Sequence, residues 1–284
     1  MAARKTALMA FALTFATALP SDAQANDHTS LSFGVVPQQS ASRLARIWLP
    51  ILEKLGQKAG YNIKFATAKD IPTFEACLAQ GAYDVAYMNP YHYVVFSDVS
   101  GYRAIGRQQN HRLRGLLVTR KDSAIETLDD LDGQEVAFPS PAAFGASVIP
   151  RAEIAARGIS ISENYVNSHD SVYMAVANGL TVAGGGVKRT WNTIPEAIRD
   201  QLRVFYQTEP YSPHAFAVHG RLSEDEATKL GNALTTLDAE TLAPLGMTGI
   251  EAGIDGDWDD IRGLGLTKKD TGVVVEDSNQ CHSD

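Results

Sequence analysis

Tyr83-Asp84-Val85-Ala86-Tyr87-Met88-Asn89-Pro90-Tyr91-His92-Tyr93 is the stretch on which the fold turns. Tyr83 to Tyr87 is apolar enough for a buried parallel strand. Asn89 is a good N-cap, and Pro90 suits the first helical position, where its missing N–H costs nothing. Val94-Val95-Phe96 can carry that helix on. The chain therefore leaves the carboxyl end of a strand and enters a helix whose first N–H groups face a crevice. Open α/β sheets bind ligands there, and helix starts bind anions. Tyr91, His92 and Tyr93 bring three hydrogen-bonding rings to that mouth. A plain strand–helix turn with the tyrosines packed as core aromatics fits the same residues.

Working outward, strand and helix alternate. Leu31 to Val36 reads as a strand, Pro37 to Ser40 as a turn, and Ser40 as the N-cap of a helix. Leu44, Trp48, Ile51 and Leu55 recur at three and four residues and give that helix one apolar face. Tyr61–Ala66 is a second strand, and Ile71–Ala79 a helix stopped by Gly81. Beyond the opening stretch, Arg114–Thr119 reads as a strand leaving the first lobe. Leu128–Gly133 is a short helix, Glu135–Phe138 a strand, and about 147–157 a helix ended by Gly158. Tyr165–Asn167 is a strand, Ser168-His169-Asp170 a loop and Ser171–Ala177 a helix. Val182 to Val187, with Gly184-Gly185-Gly186, reads as a strand breaking into a glycine-rich turn. Leu202–Tyr206 and Ala215–Val218 are the last clear strands, followed by a helix over 223–237. Such βαβα order predicts parallel sheets covered by helices.

The chain's ends and composition bound the class. Arg4-Lys5, the apolar run Ala7–Leu19 and Ala23-Gln24-Ala25 form a secretory signal peptide over residues 1–25, with cleavage after Ala25. The apolar run is too short to span a bilayer, and no later run is long enough. The reading is a periplasmic protein, not itself membrane-spanning. Hydrophobic residues at 44% and charged residues at 20% fit a packed domain rather than a disordered chain. Without residues 1–25, 23 basic side chains face 32 acidic ones, a formal charge of −9. That balance excludes a nucleic-acid surface, and an anionic ligand needs local donors. Cys77 and Cys281 form a disulfide pinning the tail, or two separate thiols; the sequence leaves both open. Residues 267–284 read as a polar, disordered tail.

Five motifs in order carry a resemblance across about residues 31–240. They are Phe33-Gly34-Val35-Val36-Pro37-Gln38-Gln39-Ser40; Gly81 to Pro90; Arg120 to Ser123 with Leu128 to Phe138; Pro150-Arg151-Ala152; and Ser168-His169-Asp170. Together they resemble the phosphonate/phosphite/phosphate-type periplasmic binding proteins of ABC transporters. The resemblance implies a type II periplasmic-binding fold: two α/β lobes with a hinged cleft closing on an oxyanion. Lobe one would comprise 26–118 and 213–266, lobe two 119–212, with crossovers near 114–120 and 207–219.

Site residues follow from that resemblance position by position. The family's aromatic after the third strand corresponds to Tyr91, expected to donate its hydroxyl to the ligand. The family's Ser-Thr-Ser-Gly turn falls on Ala143-Phe144-Gly145-Ala146, so its hydroxyls are absent while backbone amides remain and Gly145 permits close approach. The loop histidine corresponds to His169, flanked by Ser168 and Asp170. The acid that holds the ammonium of aminoalkyl phosphonates would fall near Gly184 or Gly185, where none stands. Helices after Ser40, Asn89 and Ser140 would aim their starts at the ligand, and protonated His169 would strengthen binding as pH falls toward 6.5. Arg189 can supply a positive charge to an oxyanion. Ser40 and His214 are further candidates, while His92 and Trp191 read as packing.

Enzyme classes find no support: Gly-x-Ser-x-Gly, H-E-x-x-H and Walker loops are missing, and the histidines lack metal-ligand spacing. The reading therefore calls for no cofactor and no metal. It is a monomeric solute-binding protein taking phosphate, phosphite or a related oxyanion to an ABC permease, with a small organic solute second. The alternative is a periplasmic sensor presenting its ligand to a membrane histidine kinase.

Overall fold

A computed structural model of the protein describes residues 30–264 and Cys281. The expected signal peptide and polar tail lie outside the described residues, Cys281 excepted. In chain order the first half runs β1 (Ser30–Val35), α1 (Ala41–Ala59), β2 (Asn62–Ala66), α2 (Ile71–Ala79), β3 (Val85–Met88), α3 (Pro90–Ser100), β4 (Arg103–Gln108) and β5 (Gly115–Arg120). The second half runs β6 (Glu135–Phe138), α4 (Ile149–Ala156), β7 (Ser162–Tyr165), α5 (His169–Ala177), β8 (Ala183–Val187), α6 (Lys188–Thr193), α7 (Glu196–Arg199), β9 (Leu202–Gln207), β10 (Ala215–Val218), α8 (Glu224–Thr235), α9 (Ala239–Leu242), β11 (Ile250–Glu251) and α10 (Asp259–Arg262).

These strands form two sheets. The first has the order β11-β4-β10-β3-β1-β2, and the second β7-β6-β8-β5-β9. In the first, β1 pairs in parallel with β2 and β3, while β10 returns antiparallel between β3 and β4. In the second, β6 runs parallel to β7 and β8, and β5 runs antiparallel to β8 and β9. The chain crosses between sheets through 109–114 and 208–214. Leu113 and Tyr211 tie the two crossings together, their backbone N–H groups donating reciprocally at 2.7 and 2.8 Å. β5 lies wholly in the second sheet, so the crossing precedes it, earlier than the expected boundary after residue 118.

Local chemistry explains the elements that shape the cleft. Asn89 caps α3, its side-chain oxygen accepting from the His92 N–H at 2.8 Å, with Pro90 at the first helical position. Leu44, Trp48, Ile51 and Leu55 are all buried and seat α1 on the first sheet. Ser40 precedes α1 but makes no capping hydrogen bond. Cys77 of α2 is bonded to Cys281, so the pinned-tail alternative holds.

Three expected elements differ. Ala183–Val187 is an unbroken strand buried along its length, not a turn. Its glycines are needed for space: a Cβ at 185 would overlap the Ala146 carbonyl, and one at 186 the Tyr173 hydroxyl. Period-two patterning cannot reveal a strand whose side chains are hydrogens. The helix expected from 147 opens earlier, with a π-helical turn over Phe144–Val148 in which the Ile149 N–H donates to the Phe144 carbonyl. α5 starts at His169, because Ser168 caps it by accepting from Ser171 N–H at 3.1 Å.

Candidate functional site

The cleft floor is aromatic. Tyr87, near the end of β3, stacks on His214 with centroids 5.1 Å apart and 17° between planes. Trp48 and Phe216 meet the same ring at 4.9 and 4.8 Å. Arg189, on α6, reaches this floor from the other lobe. Its Nη1 donates to the Tyr87 hydroxyl at 2.8 Å, and its guanidinium lies 5.2 Å from the ring centroid. Its Nη2 donates to Gln38 Oε1. That orients the Gln38 amide, whose Nε2 lies 3.3 Å from His214 Nε2. His214 thus accepts there and is neutral; burial first, then the Arg189 charge, push its pKa well down.

Deeper in the cleft three helix starts converge. Asn89 heads α3, Ala143–Ala146 form the turn before α4, and His169 heads α5. All line one void of about 10 Å³, with Val187 and His214. Asn89 Nδ2 donates across the cleft to the Ala142 carbonyl at 3.0 Å, and His169 N–H donates to the Gln38 carbonyl at 3.3 Å. His169 is 1% exposed. Its Nδ1 sits 3.2 Å from Thr190 Oγ1, while its Nε2 is buried with no partner. Burial and then the nearby Arg189 charge depress its pKa to about 3. His169 is consequently neutral near pH 7, which corrects the expectation of a titration near 6.5. The single hydroxyl hydrogen of Thr190 can go to the Val187 carbonyl at 3.0 Å or to Nδ1; a neutral imidazole presents Nε2–H to an anion when Thr190 donates to Nδ1.

An outer clasp closes the cleft rim. Arg43 of α1 pairs with Asp170 at 3.2 Å and donates to the Thr193 carbonyl at 2.8 Å. Gln39 Nε2 donates to Thr193 Oγ1 at 2.8 Å. Beside the clasp a wider groove of about 810 Å³ shares Val187 and His214 with the void. Arg112, Arg114, Lys188 and Arg189 line it, together with His111 and Trp191.

The sequence candidates separate accordingly. Ala143, Phe144, Gly145, Ala146, His169 and His214 meet at the void, and Arg189 stands at its edge. Ser168 is spent on capping and Asp170 on the clasp. Ser40 is exposed, its hydroxyl 3.4 Å from Ser42 Oγ, and its helix start is not among those at the void. Tyr91 is 1% exposed, packs edge-on to His92 at 6.1 Å and lines neither void nor groove. Tyr87, four residues earlier, is the tyrosine that lines the groove, its hydroxyl accepting from Arg189. Sequence reading missed Tyr87, Gln38 and Arg43. A polar tip on the last residues of a buried strand was the available signal for Tyr87.

Two sheets joined by paired crossings, with a clasped cleft between them, define the class of two-lobed solute-binding proteins. The family model described as the ABC transporter, phosphonate, periplasmic substrate-binding protein matches residues 33–258. The chain belongs to that family. It is 23% identical over 225 residues to the phosphate-import protein PhnD of Mycolicibacterium smegmatis, covering 71% of this chain and 70% of that one. A binding protein component of an ABC phosphonate transporter from Pseudomonas aeruginosa has a similar fold: TM-score 0.77, 19% identity, 90% of this chain and 92% of that one. So does PhnD1 of Prochlorococcus marinus in complex with methylphosphonate: TM-score 0.75, 15% identity, 84% and 97% coverage. Among the described residues no helix is long and apolar enough to cross a membrane.

Proposed function

We propose that the protein, exported by its N-terminal signal, captures a small oxyanion between its lobes and delivers it to an ABC permease. Phosphate, phosphite or a simple phosphonate is the ligand class. The observation that carries this reading is the unpartnered, buried Nε2 of His169 at a void where three helix starts meet. Each helix start favours a bound anion by about 0.3–1 kcal/mol, and more when partly buried. The Arg189 guanidinium adds the formal positive charge that a chain of net charge −8 must concentrate locally. A void of about 10 Å³ holds at most one water, so the lobes part at the clasp to admit the anion and close on it less tightly than in the present arrangement. The names of the M. smegmatis and P. marinus relatives support an oxyanion. Family membership favours transport over presentation to a membrane kinase.

Titration calorimetry of the mature protein against phosphate, phosphite, methylphosphonate and 2-aminoethylphosphonate tests the reading. At least one of the first three should bind, with His169→Ala weakening it at least about tenfold through a lost hydrogen bond to a charged group. Binding of none, or binding indifferent to His169→Ala, would refute this site. The aminoethyl compound should bind more weakly, because no acid near Gly184 or Gly185 awaits its ammonium.

A further inference from the structure

The void is too small for any organic arm, and the groove next to it is the space into which an arm must extend. Val187 and His214 form the boundary between the two. Every formally charged residue lining the groove is a cation: Arg112, Arg114, Lys188 and Arg189. No Asp or Glu lines it, although the chain holds 33 acidic and 25 basic residues. The cations are not equally engaged. Arg112 pairs with Asp260 at 2.7 Å, and Arg114 donates to the Thr208 carbonyl at 2.6 Å. Lys188 is exposed and makes no ion pair among the described residues. Lys188 immediately precedes Arg189, and the charges of both act on His111 in the same wall. A groove with low-dielectric walls and one sign of charge concentrates ligands of the other sign.

We infer that the preferred ligand is a phosphonate or phosphate monoester whose organic arm ends in a second anionic group, such as a carboxylate, held in the groove by Lys188. This rests on the oxyanion reading above and extends it. The head group meets His169 Nε2 once the lobes part to enlarge the void; the arm passes Val187 and His214; the terminal carboxylate meets the Lys188 ammonium, with Arg112 and Arg114 behind it.

The test compares methylphosphonate, 2-aminoethylphosphonate, phosphonoacetate and 3-phosphonopropionate by calorimetry on the mature protein at low salt. At least one carboxylate-bearing probe should bind about twofold to fivefold tighter than methylphosphonate, the range for one partly exposed ion pair. That preference should shrink in 0.5 M salt, as roughly expected for an incompletely buried pair. It should also shrink in Lys188→Glu and persist in Lys188→Arg. Lys188 is exposed, so these substitutions leave the fold intact. If methylphosphonate binds and neither carboxylate probe binds more tightly, the inference falls while the oxyanion reading stands. A preference unmoved by salt and by Lys188→Glu overturns the assignment to the groove. If none of the four binds, the inference falls, and the oxyanion reading falls with it only if phosphate and phosphite fail too.

Discussion

Arg189 is a charge that works through geometry. It stands on α6 of one lobe, and its two terminal nitrogens each donate to a residue of the other, Tyr87 and Gln38. Replacing it with Met keeps the length of the side chain and removes the charge and the forked donors. Calorimetry with methylphosphonate should show affinity reduced by about tenfold to a hundredfold, the range for one lost hydrogen bond to a charged group. Arg189→Lys should recover only part, since an ammonium cannot serve Tyr87 and Gln38 together. The histidines make a second prediction. His169 and His214 are held neutral by burial, with pKa values depressed in the folded protein. In the unfolded chain they protonate near 6.5, so their contribution to stability is complete above that pH. It is lost as pH falls below 6.5, for His169 down to about 3, at about 1.4 kcal/mol per pH unit. Urea unfolding at pH 7 and pH 5 should show His169→Gln losing less stability on acidification than wild type. An equal loss in both proteins would contradict the buried neutral imidazole.

At the scale of elements, β8 is the feature with most leverage. It lies between β6 and β5 in the second sheet, with α5 over one face and the turn before α4 over the other. Gly185 touches backbone rather than a flexible side-chain end, so an added methyl group forces the π-helical turn outward. Gly185→Ala should therefore destabilise the protein by about 1–3 kcal/mol in denaturant unfolding. It should also weaken oxyanion binding, because the displaced turn carries Ala146 at the void. A methyl group tolerated without loss of either would mean that the strand has slack the packing does not show. The start of α3 has a comparable double duty. Asn89 caps the helix with its oxygen and bridges the lobes with its amide nitrogen.

The whole molecule is two sheets fastened at three depths: the Arg43 and Gln39 clasp, the Arg189–Gln38 link, and the Asn89–Ala142 bridge. Behind them the paired crossings at Leu113 and Tyr211 hold the lobes together. Asp170 is half-buried, and that desolvation raises its carboxyl pKa against the lowering by Arg43. The disulfide acts on a longer scale still, joining residues 204 apart in sequence. By restricting the unfolded chain, a cross-link of this kind stabilises by about 2–5 kcal/mol. Cys281→Ser should lower the thermal midpoint of the oxidised protein, and reductant should bring wild type down to the variant. A midpoint unchanged by both treatments would show that the bond adds nothing to stability.

What the sequence determined by itself was the order of strands and helices around Asn89-Pro90 and, with the family resemblance, the two-lobed class. Local signals carry these: capping residues, helical period and the strand-to-helix punctuation are written in neighbouring positions. The His169 position was also legible, through the resemblance. Tertiary structure alone decided which ring faces the cleft. Tyr87 and Tyr91 are both buried tyrosines on the same strand–helix unit, and only packing against Trp48, Phe216 and His214 turns the first toward Arg189. It also decided that Gly184-Gly185-Gly186 is a central strand, because its register is fixed by pairing with Leu116–Val118. The charge state of His169 belongs to the fold as well. The same imidazole titrates near 6.5 in an open chain and is held down to about 3 by the desolvation and the Arg189 charge that closure of the two lobes brings.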